Sequence, residues 1–138
     1  MAEKTIDVRL DPRVALSDRA LEFQTRYSLA MYDAYHAAQD MVESIDLALA
    51  DSLISGSRRA TLTALRGSGA VGNPDIVYGS IYAVSPVDET LVGFQEKALF
   101  LMNVLQGADA RPTTQAMDAA AALEETLAAL VARWEMLR

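Results

Sequence analysis

From Ser17 to about Ile54, apolar or small side chains recur at spacings of three and four: Ala20, Phe23, Tyr27, Ala30, Ala34, Ala37, Met41, Ile45, Ala48 and Leu53. At about 100° per residue these fall on one face, which predicts a single long amphipathic helix. Ser17 is a good N-cap, and Asp18 puts a negative charge in the first turn, where the helix dipole favours it. Met31, Tyr35, Val42 and Leu49 widen the apolar face, so this helix is expected to touch more than one neighbour. Gly56 permits a break. A short helix over 57–66 follows, with Leu62 and Leu65 inward.

The next segment, 67–84, is irregular, with glycine at 67, 69, 72 and 79 and proline at 74. Its apolar end, including Tyr78, Ile81 and Tyr82, is expected to pack down onto the body. Ser85-Pro86, with Asp88 after it, predicts the start of a third helix. Its core stripe is Leu91, Phe94, Ala98, Leu101 and Leu105, and Leu99, Phe100, Met102 and Val104 make its second half apolar nearly all round. Gly107 closes it. Pro112 and Thr113 open the last helix, to about Leu137, with the stripe Ala116, Ala120, Leu123, Leu127, Leu130, Trp134 and Leu137. Each fully buried large apolar side chain contributes about 1.5–3 kcal/mol, so these stripes suffice to close a core. The expected fold is all-α: an antiparallel bundle of three long helices plus a short one over 17–138.

Ahead of it, Ile6, Val8 and Leu10 alternate with Asp7, Arg9 and Asp11, the period-2 signature of a half-buried strand, which Pro12 ends. A lone strand before a helical body has no sheet of its own to join. Residues 1–16 are therefore expected to be either an extended arm lying across the bundle or an orphan strand that pairs with a partner.

Composition narrows the function classes. The 138 residues suit one domain, and 51% hydrophobic with 22% charged residues is ordinary for a globular chain. A net charge of −7 repels phosphate backbones, and Arg58-Arg59 is too small a basic footprint to reverse that, so no nucleic-acid partner is expected. The lack of cysteine excludes disulfides, thiolate zinc sites and cysteine nucleophiles. Met1-Ala2-Glu3-Lys4 opens without the apolar stretch of an export signal. No apolar run approaches the roughly 20 residues that span a bilayer.

The sharpest chemical pattern is Asp33, His36, Asp40 and Glu43, whose offsets place them within roughly an 80° arc of the first helix. Such a stripe could ligate a divalent metal, as inward-facing carboxylates and histidines do in di-metal bundles. Its centre, however, lies about 150° from the apolar stripe by the same count, so it is expected to be a solvated face, with no metal or other cofactor assigned. Gly67 to Gly72 spells G-x-G-x-x-G. A helix precedes it and Asn73-Pro74 follows, which is the wrong context for a dinucleotide site. His36 is the only histidine, no serine sits in a nucleophile elbow, and the carboxylates nominate no facing pair. No catalytic residue emerges. Leu29 and Leu47 fall on the polar side of the first helix and, with Ile6, Val8 and Leu10 of the arm, are the candidate contacts for another protein or domain, a second copy included. The alternative is a bundle that binds a small molecule or metal, with Tyr78 and Tyr82 near a pocket mouth or Asp33, His36 and Asp40 as ligands.

Three segments carry a family likeness. Leu10-Asp11-Pro12-Arg13-Val14 precedes a long helix containing Phe23-Gln24 and Tyr32-Asp33. Leu91 to Leu105 is followed by Gln106-Gly107-Ala108-Asp109-Ala110-Arg111-Pro112-Thr113-Thr114-Gln115 and the Leu123-Glu124 helix. This arrangement resembles the C-terminal helical region of large bacterial proteins with sortilin-like, Asp-box β-propellers, often labelled glycosyl hydrolases. The resemblance implies an accessory or docking domain that would follow a small β-sandwich, with any catalytic or carbohydrate-binding role in the propeller. It transfers no catalytic residue to this chain, and it leaves localisation open, since those larger proteins look exported.

Overall fold

The computed structural model describes residues 4–6, 11, 16–68, 89–107 and 110–138. Among them the protein is all-helical, with four helices packed together: α1 (Asp18–Ala50), α2 (Gly56–Arg66), α3 (Leu91–Gln106) and α4 (Thr114–Glu135). Side-chain caps fix where each begins. The hydroxyls of Ser17, Ser55, Thr90 and Thr113 accept from the backbone N–H three residues on, satisfying a donor that the first turn leaves orphaned.

The break after α1 arises from Asp51 and Ser55 rather than from Gly56. The Asp51 carboxylate accepts from the Leu53 N–H at 2.8 Å, a local turn that competes with helix continuation. Ser55 then caps α2, of which Gly56 is already the first residue. Leu53 consequently leaves the expected apolar face and is 90% exposed. Helix α3 begins at Leu91, because Thr90 is extended and serves as its cap. The expected start at Ser85-Pro86 lies outside the described residues, as do Tyr78 and Tyr82 and the G-x-G-x-x-G segment from Gly69 onward. Of the arm, Ile6 is 79% exposed and in no regular element, while Val8 and Leu10 lie outside the described residues.

At about 1.5 Å per residue, α1 is roughly 50 Å long, and it packs chiefly against α3. Its buried face is Ala20, Ser28, Met31, Ala34, Ala38, Met41 and Ile45. That face is rotated towards Met31 and Ala38 from the expected stripe, leaving Phe23, Tyr27, Ala30 and Ala37 half-buried. The shift follows from contacts with α2, α3 and α4 together. A helix enclosed on several sides centres its largest buried groups between its neighbours. Phe94, Met31, Ile45, Leu62, Leu65, Leu91 and Leu130 are fully buried, and Ala38, Ala98 and Ala120 lie between them with no exposed surface, so the helix backbones approach closely.

Polar contacts tie the helix ends. Gln24 donates to the Leu105 carbonyl at 2.6 Å, and Arg133 donates to the Glu89 carbonyl at 2.7 Å. Arg59 donates to the carbonyls of Leu49 and Asp51, at 2.8 and 3.0 Å, supplying partners that the last turn of α1 lacks. Arg19 and Arg111 both lie over the Phe23 ring, at 5.7 and 5.2 Å from its centroid, which fastens the α3–α4 connection to the start of α1.

Candidate functional site

The outer side of α1 carries most of the residues singled out in the sequence. Asp33, Asp40 and Glu43 are exposed and His36 is half-buried. The His36 ring lies edge-on against Tyr32 and Tyr35, with centroids 4.4 and 5.2 Å apart, an arrangement that stabilises aromatic pairs. Glu43 accepts from Gln39 at 3.1 Å. Among the described residues no group of three or more His, Cys, Asp or Glu side chains could hold a metal ion, so helical register alone does not make a ligand set of the four. Leu29 is 56%, Tyr32 50% and Leu47 78% exposed. They share the face opposite the core with the exposed carboxylates of Asp18, Glu22, Asp33, Asp40 and Glu43. Ile6, the described member of the arm's candidate contacts, is itself largely exposed.

A second feature lies where the middle of α1, the start of α2 and the end of α4 meet. There an open cleft of about 390 Å³ is lined by Asp40, Met41, Ser44, Arg58, Trp134 and Arg138. Of these only Asp40 belongs to the constellation recognised in the sequence. Trp134, the single tryptophan, is half-buried against the core cluster and also presents surface to the cleft. Arg58 donates to the Leu137 carbonyl at 3.1 Å, and Arg138 to Glu135 at 3.2 Å. Ser44 donates its hydroxyl to the Asp40 carbonyl at 2.8 Å, leaving its oxygen lone pairs as acceptors. A sequence signal for this cleft did exist. Arg58 sits in the first turn of α2, where the dipole disfavours a cation, and that position calls for a compensating contact.

Among the described residues the most buried charges lie elsewhere, at the start of α3. Lys97 pairs with Glu89, their side chains being 12% and 8% exposed, and the Thr90 N–H donates to Glu89 at 3.2 Å. Gly93 makes room for this carboxylate, since a Cβ there would come within 2.6 Å of Glu89 Oε1. Neighbouring Glu96 has one buried carboxylate oxygen without a hydrogen-bond partner. Burial first, and the negative charge of Glu89 second, push the Glu96 carboxyl above the ordinary range, with Lys97 opposing. Arg66 and Asp46 form a bidentate pair at 2.5 and 3.0 Å. The hydrogen bond to Asp46 makes the Arg66 guanidinium still harder to deprotonate. Lys97 with Glu89 and Arg66 with Asp46 thus satisfy one another's charge within the fold, while Glu96 belongs to neither pair.

No helix among the described residues is long and apolar enough to cross a membrane. No family model, curated protein or solved structure matches this chain.

Proposed function

We propose that this chain is a non-catalytic helical docking domain that binds another protein along the outer face of α1. The observation that carries the reading is the exposure of Leu29, Tyr32 and Leu47 on one side of a single long helix, among five carboxylates. Scattered exposed apolar groups are ordinary. Three on one helix face, spread over five turns, give a partner helix a line of anchors. The surrounding acids favour a partner whose own apolar face is flanked by lysine or arginine, and they disfavour the same face of a second copy. The arm residues Ile6, Val8 and Leu10 extend the contact in this reading.

We further infer an antiparallel arrangement of three long helices and one short one. The bond from Gln24 near the start of α1 to Leu105 near the end of α3 supports it, as does the bond from Arg133 near the end of α4 to Glu89 just before α3. The accessory role also draws on the resemblance to the helical region of Asp-box propeller proteins. That resemblance rests on the sequence segments 10–14 and 106–115 and supplies no catalytic group.

The test is native mass spectrometry of the protein isolated from its own source, beside a Leu29→Glu/Leu47→Glu variant. A complex in the parent that is lost in the variant, with helicity unchanged, is expected. A parent that is only ever monomeric, or a complex indifferent to the two charges, would overturn the reading.

A further inference from the structure

The cleft beside Trp134 points to a ligand rather than to a protein partner. Its lining joins three kinds of group from α1, α2 and the C-terminal end of the chain: an indole and a thioether (Trp134, Met41), guanidinium groups (Arg58, Arg138) and a carboxylate (Asp40). No side chain pairs with the Asp40 carboxylate among the described residues, and Arg58 commits one of its five N–H donors, to Leu137. At about 390 Å³ the space falls in the range of small-molecule sites.

We propose that this cleft binds a small zwitterion carrying a flat apolar group, of the kind an aromatic α-amino acid represents. With Arg138 paired to Glu135, the facing charges are Arg58 and Asp40, so a purely anionic ligand would be repelled by Asp40 and a purely cationic one by Arg58. A molecule with both charges on neighbouring atoms satisfies both sides at once. Its carboxylate accepts from Arg58, its ammonium donates to Asp40, and its ring lies against Trp134 and the Met41 sulfur. This inference does not rest on the docking reading: the two sites share Asp40, but the docking face turns on Leu29 and Leu47 and the cleft on Trp134 and Arg58.

Because the chain has one tryptophan, its indole N–H gives one cross-peak in a ¹H–¹⁵N spectrum, and that peak reports on the cleft directly. The full chain is titrated with L-phenylalanine, 3-phenylpropionate and phenethylamine. Phenylalanine is expected to move the peak saturably and to bind roughly tenfold or more tightly than either singly charged probe, the scale of one charge-assisted hydrogen bond. Arg58→Gln is expected to reduce phenylalanine to the level of phenethylamine, and Asp40→Asn to the level of 3-phenylpropionate. Both residues are exposed, so the variants fold, which circular dichroism verifies. Absence of a saturable shift, any other order of the three affinities, or indifference to both substitutions would overturn the assignment.

Discussion

The Gln24 side-chain amide donates to the Leu105 carbonyl at 2.6 Å, joining residues 81 positions apart. Leu105 lies in the last turn of α3, where carbonyls have no helical partner, so a side chain of α1 completes the end of α3. Gln24→Ala is expected to lower stability by about 1–2 kcal/mol, the range for a lost hydrogen bond that leaves a partly buried acceptor. Gln24→Glu should cost more, because it sets a negative charge against the negative end of a helix dipole. Urea unfolding of the three proteins checks both the size and the order.

Gly67 ends α2 at φ 85° and ψ 175°, a conformation essentially confined to glycine. A Cβ added there would lie 2.5 Å from Thr90 Oγ1, the same hydroxyl that caps α3. Gly67→Ala therefore combines backbone strain with displacement of a cap. A loss of about 2–4 kcal/mol is expected, from roughly 1–3 for the strained backbone and about 1 for the cap. A melting temperature within a degree of the parent would show that the α2 end and the α3 start do not meet in this way.

The helices were largely legible because periodicity and caps are local signals. Leu62 and Leu65, the whole Leu91-to-Leu105 stripe, and Ser17 and Thr113 at their helix starts all lie as the spacing predicts. What periodicity could not supply was the azimuth of α1. It names the apolar side, but Met31 and Ala38 become its centre only once three other helices are in place. The turn at Asp51 was masked in the same way by Gly56, a more conspicuous breaker five residues from the carboxylate that forms the turn. The cleft was least legible of all. Asp40, Arg58 and Trp134 come from three helices, and no spacing within one element brings them together.

Glu96 gives the protein a definite pH response. Its carboxyl is raised in the fold by burial and by Glu89, against the pull of Lys97. Between the ordinary glutamate range and that raised value, the native state binds more protons than the unfolded chain. Its contribution to stability therefore increases as pH falls through this window and is lost as pH rises through the folded value. Glu96→Gln removes the charge that burial penalises. It is expected to stabilise the protein at neutral pH by roughly 1 kcal/mol, with the advantage fading towards pH ~4, where both side chains are neutral. Parallel stability–pH curves for parent and variant would contradict this.

The two ion pairs Lys97–Glu89 and Arg66–Asp46 should behave differently although both are close. The Lys97–Glu89 side chains are 12% and 8% exposed, whereas those of Arg66 and Asp46 are 24% and 47% exposed. Removing one partner of a buried pair strands a charge in a poorly solvated site, at about 3–5 kcal/mol. Removing one from a surface pair costs about 0–1 kcal/mol. Lys97→Met is accordingly expected to destabilise by about 3 kcal/mol and Asp46→Asn by less than about 1. Replacing both members of the buried pair, as Glu89→Leu with Lys97→Met, should recover most of the loss, because no charge is then left without its counter-ion. Recovery would be incomplete even so, since Glu89 also accepts from the Thr90 N–H and sits at the positive end of α3. Guanidinium unfolding of these three variants together with the Glu89→Leu single completes a double-mutant cycle for the buried pair, with the surface substitution as its reference. A single Lys97→Met variant no less stable than Asp46→Asn would mean that the α3 start is open to water rather than closed around Glu89.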